Sequence, residues 1–319
     1  MLSSLNAKVF VATVAMLTIM VVFSDAILNL VVVPRFEESD RAIALLNVTR
    51  IKSSMAGEVT ELDGVVDDWA FWDDTYAFAA GSRPDYVADN LYLKAMSEIR
   101  VNAFNFYHQD GTLLQSVGYD LATGAPIDIA ELASVAKLVA VPANAAPDAE
   151  RPHGGLILTS RGPVFASAAP ILTSHREGPP HGALVVARLF GPAQIAAMRE
   201  RTGASFDIWA ANAMLPPAVA PIGAALLAHA DEPVFEAAGG HLTTYFSVPD
   251  VNGAPALIVA TETDMVGSAL GRRAVFLAEL CLVAVGLVNL VLFFFQIRYL
   301  VLKPLTRMEQ HIVRVGATG

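Results

Sequence analysis

The stretch VVDDWAFWDDTYAF, Val65–Phe78, decides how the chain is read. It holds two of the three tryptophans and sets Asp67, Asp68, Asp73 and Asp74 among them. At ~100° per residue, Val65, Trp69, Trp72 and Tyr76 fall along one helical stripe. Asp68 and Asp73 flank that stripe, and Asp67 and Asp74 share a neighbouring face. Two uses fit this pattern. Aromatics lock the helix to a sheet while aspartates face water. Alternatively, the aspartates line a pocket for a cationic group or metal, roofed by tryptophan. In the second use the ligand-binding residues are Asp68, Trp69, Trp72, Asp73 and Tyr76.

Upstream, the three-four spacing continues through Val48, Ile51, Met55, Val59, Leu62 and Val66, with no proline between Glu37 and Ala80. This predicts one long helix, ending before the breaker Gly81-Ser82-Arg83-Pro84. A shorter helix is expected over Asp85 to Glu98. Then the period changes to two. Ile99–His108 and Leu113–Tyr119 read as a hairpin around Gln109–Thr112. Asp128–Val139 reads as a helix and Val141–Pro152 as an Ala/Pro-rich loop. Strands are expected from Gly155, Gly162 and His181, followed by a helix from Pro192 to Arg201 and a strand over Ala204–Ala210. Met214–Pro233 fits no element. A last hairpin surrounds Pro249–Gly253. The fold class is α+β: a long stalk helix and an antiparallel sheet, flanked by two transmembrane helices.

The flanks are membrane-like. At 54% hydrophobic and 16% charged, the chain of 319 residues is too apolar for an ordinary soluble protein. The excess sits in Val9–Val33, interrupted near Asp25, and in Ala274–Ile297. Each exceeds the roughly 20 residues that a bilayer crossing needs. The first run is read as a retained anchor over a cleaved signal peptide, because Ser24-Asp25-Ala26 is a poor cleavage site. Arg298, Lys303, Arg307 and Arg314 beyond the second run place that end in the cytoplasm. The expected layout is residues 1–8 inside, 9–33 and 274–297 across the membrane, 34–271 outside as a domain of its own, and 298–319 inside. The setting is the inner membrane, with the outer domain periplasmic or extracellular.

The lone Cys281 lies in the second run, so the outer domain stands on its core without disulfides. A net charge of −10 without a basic stripe argues against nucleic acid. No sequence motif of a nucleophile elbow, nucleotide loop or zinc protease occurs, so no enzyme and no cofactor are expected within these residues. Histidines 153, 175 and 181 sit in loops without a convergent ligand set, so no metal is expected.

The segment Asp68-Trp69, Trp72-Asp73-Asp74, Tyr76 and Phe78, followed by Tyr86–Leu91, resembles the signature of the CHASE type 4 family. These are extracytoplasmic sensor domains related to Cache and PAS domains. Asp110-Gly111, Gly118–Gly124, Ala169–Ile171 with Gly182–Leu184, and Thr261–Met265 agree. The resemblance runs from Phe36 to Met265. It implies sensing of a small extracytoplasmic ligand. Residues 298–319 are similar to the first helix of a HAMP linker, with Pro304, Leu305, Met308 and Ile312 as signal-relay positions. The expected whole is a sensory input module, in contact with membrane lipid and paired as a parallel homodimer. It would relay to an output domain for cyclic-di-GMP turnover or a histidine kinase. The alternative is a membrane-tethered envelope hydrolase or structural module.

Overall fold

The computed structural model describes residues 2–136, 153–229, 232–296 and 299, which form two compact units. One unit draws on residues 2–42 and 264–299. Helix α1 (Leu2–Ile27) passes through a π-helical turn (Leu28–Val32) into α2 (Val33–Ala70). Pro34 has no N–H for the carbonyl one turn back, and the ladder widens just before it. The returning helix is α9 (Val266–Gln296). Two helical stretches, one beginning in α1 and the other α9, are long and apolar enough to cross a membrane. Apolar side chains such as Met16, Phe23, Phe276 and Leu287 are exposed on them, as lipid-facing groups would be. Asn29 donates to the Asp25 carbonyl at 3.0 Å and to its Oδ1 at 2.7 Å, and Glu279 of α9 lies beside Asp25.

The other unit, Ile43–Thr263, holds two antiparallel sheets. The five-stranded sheet has the order β2-β1-β5-β4-β3, from β1 (Ala103–Tyr107), β2 (Leu113–Gly118), β3 (His153–Thr159), β4 (Gly162–Pro170) and β5 (Ala183–Leu189). The four-stranded sheet has the order β6-β9-β8-β7, from β6 (Phe206–Ala210), β7 (Val234–Ala238), β8 (His241–Pro249) and β9 (Pro255–Asp264). Side-chain alternation splits each sheet between two cores. Phe104, Phe106, Leu184 and Val186 face the main core, while Ala103, Val185 and Ala187 face Ile129, Leu132 and Val135. In the second sheet, Phe246, Leu257 and Val259 join the main core, and Tyr245 and Ile258 pack on α8 (Ala220–Ala228) through Leu226. Helix α2 supplies Val48, Ile51, Met55, Leu62 and Val66 to that main core. One stalk helix is therefore shared by both sheets.

The structure corrects several sequence expectations. The long helix does not reach Ala80. It ends at Ala70, Trp72 is extended (φ −109°, ψ 131°), and α3 spans Asp73–Ala79. The Ala70 carbonyl accepts the Leu172 N–H at 3.2 Å, a partner a hundred residues away. Asp73 and Asp74 then begin a new helix, where negative charge suits the helix dipole. The expected helix over Asp85–Glu98 is two, α4 (Tyr86–Asn90) and α5 (Leu93–Glu98), divided at buried Leu91. A short 3-10 turn (Ala130–Leu132) and α6 (Ala133–Ala136) stand in the Asp128–Val139 segment, whose last residues lie outside the described ones. Helix α7 (Pro192–Thr202) follows the five-stranded sheet, and β7 and α8 went unread in the sequence. Val141–Pro152 and the relay positions Pro304, Leu305, Met308 and Ile312 lie outside the described residues.

A buried ionic network ties α2 to the sheet it crosses. Arg188, near the end of β5, is 2% exposed and pairs with Glu58 of α2, itself 7% exposed, at 2.7 Å. It also reaches Glu61 at 3.2 Å and donates to the Arg100 carbonyl at 2.7 Å. Arg201 of α7 binds the other Glu58 oxygen. Burial by itself would raise the Glu58 carboxyl, but the Arg201 and Arg188 guanidiniums hold it below the usual glutamate range. Burial is likewise overcome at Glu61 by Arg188 and Arg100. A depressed carboxylate adds stability that is complete above its unfolded pKa and lost as pH falls through the folded value. Thermal melts should therefore hold steady from about pH 7 to about pH 5 and decline in more acid solution. Glu58→Gln should flatten that decline, whereas a Glu58→Gln profile that runs parallel to wild type would contradict the assignment.

Candidate functional site

The segment singled out in the sequence forms the join between α2 and the five-stranded sheet. Trp69, Trp72, Tyr76 and Phe78 are half-buried and pack on the main core. Trp69 meets Trp72 edge-on at 5.8 Å and Phe104 at 5.0 Å. Trp72 also contacts Tyr86 at 5.9 Å, and Tyr86 stacks on Phe78 at 4.9 Å. The Tyr86 hydroxyl is buried against Thr75 Oγ1 at 2.7 Å, and burial pushes its pKa up to about 12. The phenol stays neutral at any ordinary pH, as a ring used for packing should.

Three of the four aspartates are engaged by the chain itself. Asp67 takes both its oxygens to Arg176 at 2.8 and 2.7 Å, and that guanidinium lies 4.1 Å from the centre of the Phe71 ring. Asp73 accepts the Ser174 N–H at 2.9 Å, while its own N–H donates to Ser174 Oγ at 3.2 Å. The Ser174 N–H is the main influence holding the Asp73 carboxyl below the usual range. Asp74 pairs with Arg83 at 2.7 Å. Asp68 is exposed and makes no hydrogen bond or ion pair among the described residues.

The same loop meets the aromatics. Tyr76 stacks on His181 at 4.1 Å and donates its hydroxyl to the Pro179 carbonyl at 3.2 Å. Only glycine fits at Gly182, whose backbone is left-handed (φ +105°) and where a side chain would run into the Tyr107 carbonyl. Asp68, Trp69, Trp72, Asp73 and Tyr76 are thus neighbours in space, at a join clasped by Thr173–His181. The partners Arg176, Ser174 and His181 escaped the sequence reading because they lie a hundred residues downstream. Among the described residues, no three His, Cys, Asp or Glu side chains are grouped to hold a metal.

A separate cleft of about 330 Å³ lies between α2, β3 and the β8–β9 turn. Met55, Val59, Leu156, Phe165, Val248 and Val251 give it apolar walls, and Lys52 is the one cation among its lining residues. Lys52 Nζ sits 5.4 Å from the centre of the Phe246 ring. Asp250, also at the cleft, is occupied as acceptor for the Asn252 and Ala254 N–H groups at 2.8 and 2.9 Å. No local pattern in the sequence marks this cleft, whose walls come from four separate segments.

Residues 54–209 match the family model described as the CHASE4 domain. This part of the chain is similar to a CHASE4 domain. The match is shorter than the resemblance read in the sequence and stops at β6, ahead of β7 to β9. The methanogenesis regulatory histidine kinase FilI of Methanothrix harundinacea (strain 6Ac) is 29% identical over 147 residues, 46% of this chain. That stretch is only 16% of FilI, so the chain spans a small part of its relative's length. Among solved structures, the extracellular domain of the putative histidine kinase vpHK1S-Z8 is similar over 76% of this chain and 96% of its own, at 13% identity and a TM-score of 0.47. A domain of a putative sensory box/GGDEF family protein from Vibrio parahaemolyticus is similar over 73% and 98%, at 12% identity and a TM-score of 0.49. The matched part is similar to CHASE4 sensor domains, and two helices of membrane-spanning length flank the sheet domain that holds it.

The clasp and the aromatic join differ in energetic weight. Trp72→Ala should destabilise the sheet domain toward the lower end of about 3–5 kcal/mol, since the ring is only half-buried. Arg176→Ala removes an exposed pair and should cost about 1 kcal/mol or less. Denaturant unfolding of both variants checks the order, and a larger loss for Arg176→Ala would reverse it.

Proposed function

We propose that this chain is the sensory input part of a transmembrane receptor. Residues 34–271 lie outside the cytoplasm, residues 9–33 and 274–297 cross the inner membrane, and residues 1–8 and 298–319 lie inside. The observation that carries this reading is the CHASE4 match on a sheet domain bounded by two helices of membrane-spanning length. Residues 298–319 act as the first helix of a HAMP linker, with Pro304, Leu305, Met308 and Ile312 in the relay and a parallel homodimer as the assembly. The output class favoured is a histidine kinase, as the name of FilI suggests. Cyclic-di-GMP turnover is the second option.

Two surfaces are proposed for a small extracytoplasmic ligand. The edge formed by Asp68, Trp69, Trp72, Asp73 and Tyr76 suits a cationic group, with Asp68 supplying the open carboxylate. The cleft at Lys52 suits an apolar anion, and its volume falls within the range of small-molecule pockets.

Topology is tested first. Single cysteines at Ala237 and Met308, in a Cys281→Ser chain, are probed with an impermeant maleimide on intact spheroplasts. Ala237 should label and Met308 should not; the opposite pattern would refute the orientation. A thermal-shift screen of organic cations and carboxylates then separates the surfaces. A cation hit should be lost in Asp68→Asn and a carboxylate hit in Lys52→Met. A hit that survives both substitutions would place the ligand elsewhere.

A further inference from the structure

Helix α9 has an unusual start. Met265, the residue before it, carries no side-chain oxygen, so it cannot cap the free N–H groups of the first turn. The cap comes from another element. Asp40 of α2 accepts the Gly267 N–H at 3.0 Å through Oδ1 and the Ser268 N–H at 2.8 Å through Oδ2. The Ser268 hydroxyl also donates to Oδ2. Asp40 is 1% exposed, so this is a buried carboxylate satisfied from an element 227 residues away in sequence. It sits on the positive end of the α9 dipole. Burial would raise its pKa, but the Ser268 hydroxyl, the two N–H groups and Arg272 hold it below the usual range.

The approach depends on glycine. A β-carbon at Gly267 would lie 2.6 Å from Asp40 Oδ1, and one at Gly271 would run into the Phe36 ring. Phe36 and Asp40, one turn apart on α2, thus meet Gly267 and Gly271, one turn apart on α9. The two contacts resist different motions. A ring against a glycine tolerates sliding. The N–H groups at a helix start point along its axis, so bonds to them oppose axial movement. Helix shifts in signalling are about 1–2 Å. A shift of that size would break bonds of 2.8 and 3.0 Å unless α9 moved with α2.

We propose that Asp40 is a positioning residue for signal transfer, fixing the start of α9 to α2 so that the two helices move along their axes together. Its meaning as signal transfer rests on the sensory reading above, while the coupling itself does not. The test uses the full chain in nanodiscs with Cys281→Ser. Hydrogen exchange is followed over Val266–Gly271, and spin-label distances are measured between Ser39→Cys and Arg273→Cys. Asp40→Ala should speed exchange roughly 2- to 30-fold, the range that loss of an N-cap implies, and should broaden the distance distribution. Asp40→Asn, which keeps an acceptor and the shape, should fall between. Gly267→Ala leaves Asp40 intact but forces the contact apart, and it should match Asp40→Ala. Unchanged exchange in both Asp40→Ala and Gly267→Ala would overturn the clamp. Faster exchange with an unaltered distance distribution would reduce Asp40 to a local cap and also overturn the proposal. Labelling of Met308 rather than Ala237 from outside would remove the sensory reading while leaving these distances interpretable.

Discussion

The ion pair between Arg188 and Glu58 fixes the stalk helix against the five-stranded sheet. A guanidinium on a buried strand is tolerable only if its donors find acceptors. Here Glu58, Glu61 and the carbonyls of Arg100 and Ile99 provide them. Hydrophobic contacts alone would let α2 slide over two apolar sheet faces. The pair admits one register, and Arg201 extends it to α7, which leads into the second sheet. The aromatic join then follows, because Trp69 and Trp72 lie on α2 and just beyond it.

Within that frame the Val65–Phe78 segment serves two ends. Its rings close the main core, and its aspartates hold the Thr173–His181 loop and Arg83 through exposed bonds. Exposed pairs contribute little stability each. A loop held by them can open at small cost while the core beneath stays packed. That combination suits a sensor domain, in which part of the structure must respond and part must transmit. Asp40 provides the corresponding contact at the start of α9, where a buried carboxylate replaces the missing cap.

The sequence showed the α+β class because hydrophobic period is local. The three-four spacing of α2 and the alternation of β1, β2 and β8 are written in consecutive residues. The break at Trp72 was hidden, since the Leu172 N–H that takes the Ala70 carbonyl comes from a distant loop. Strand β7 of the second sheet was hidden for a similar reason: it is short and mostly exposed, and it gains its place by pairing with β8. The candidate residues were legible as a cluster, whereas Arg176, Ser174 and His181 were not. One clue to the buried network was present. In HGALVVARLF, Arg188 occupies the same alternating face as Leu184 and Val186, an inward position where a charge demands a partner. Asp40 and Gly267 carried no comparable signal, because neither breaks its local pattern.

The central claim is that Arg188 and Glu58 act as one unit in holding α2 to the sheet domain. A double-mutant cycle measures this directly, with Arg188→Met, Glu58→Gln and the double variant compared by reversible unfolding. Coupling of about 1.5–3 kcal/mol is expected, the upper part of the range for residues in one network. Each single change should be the more harmful for leaving a buried charge one partner short. A coupling below about 0.5 kcal/mol, the level of independent sites, would contradict the account.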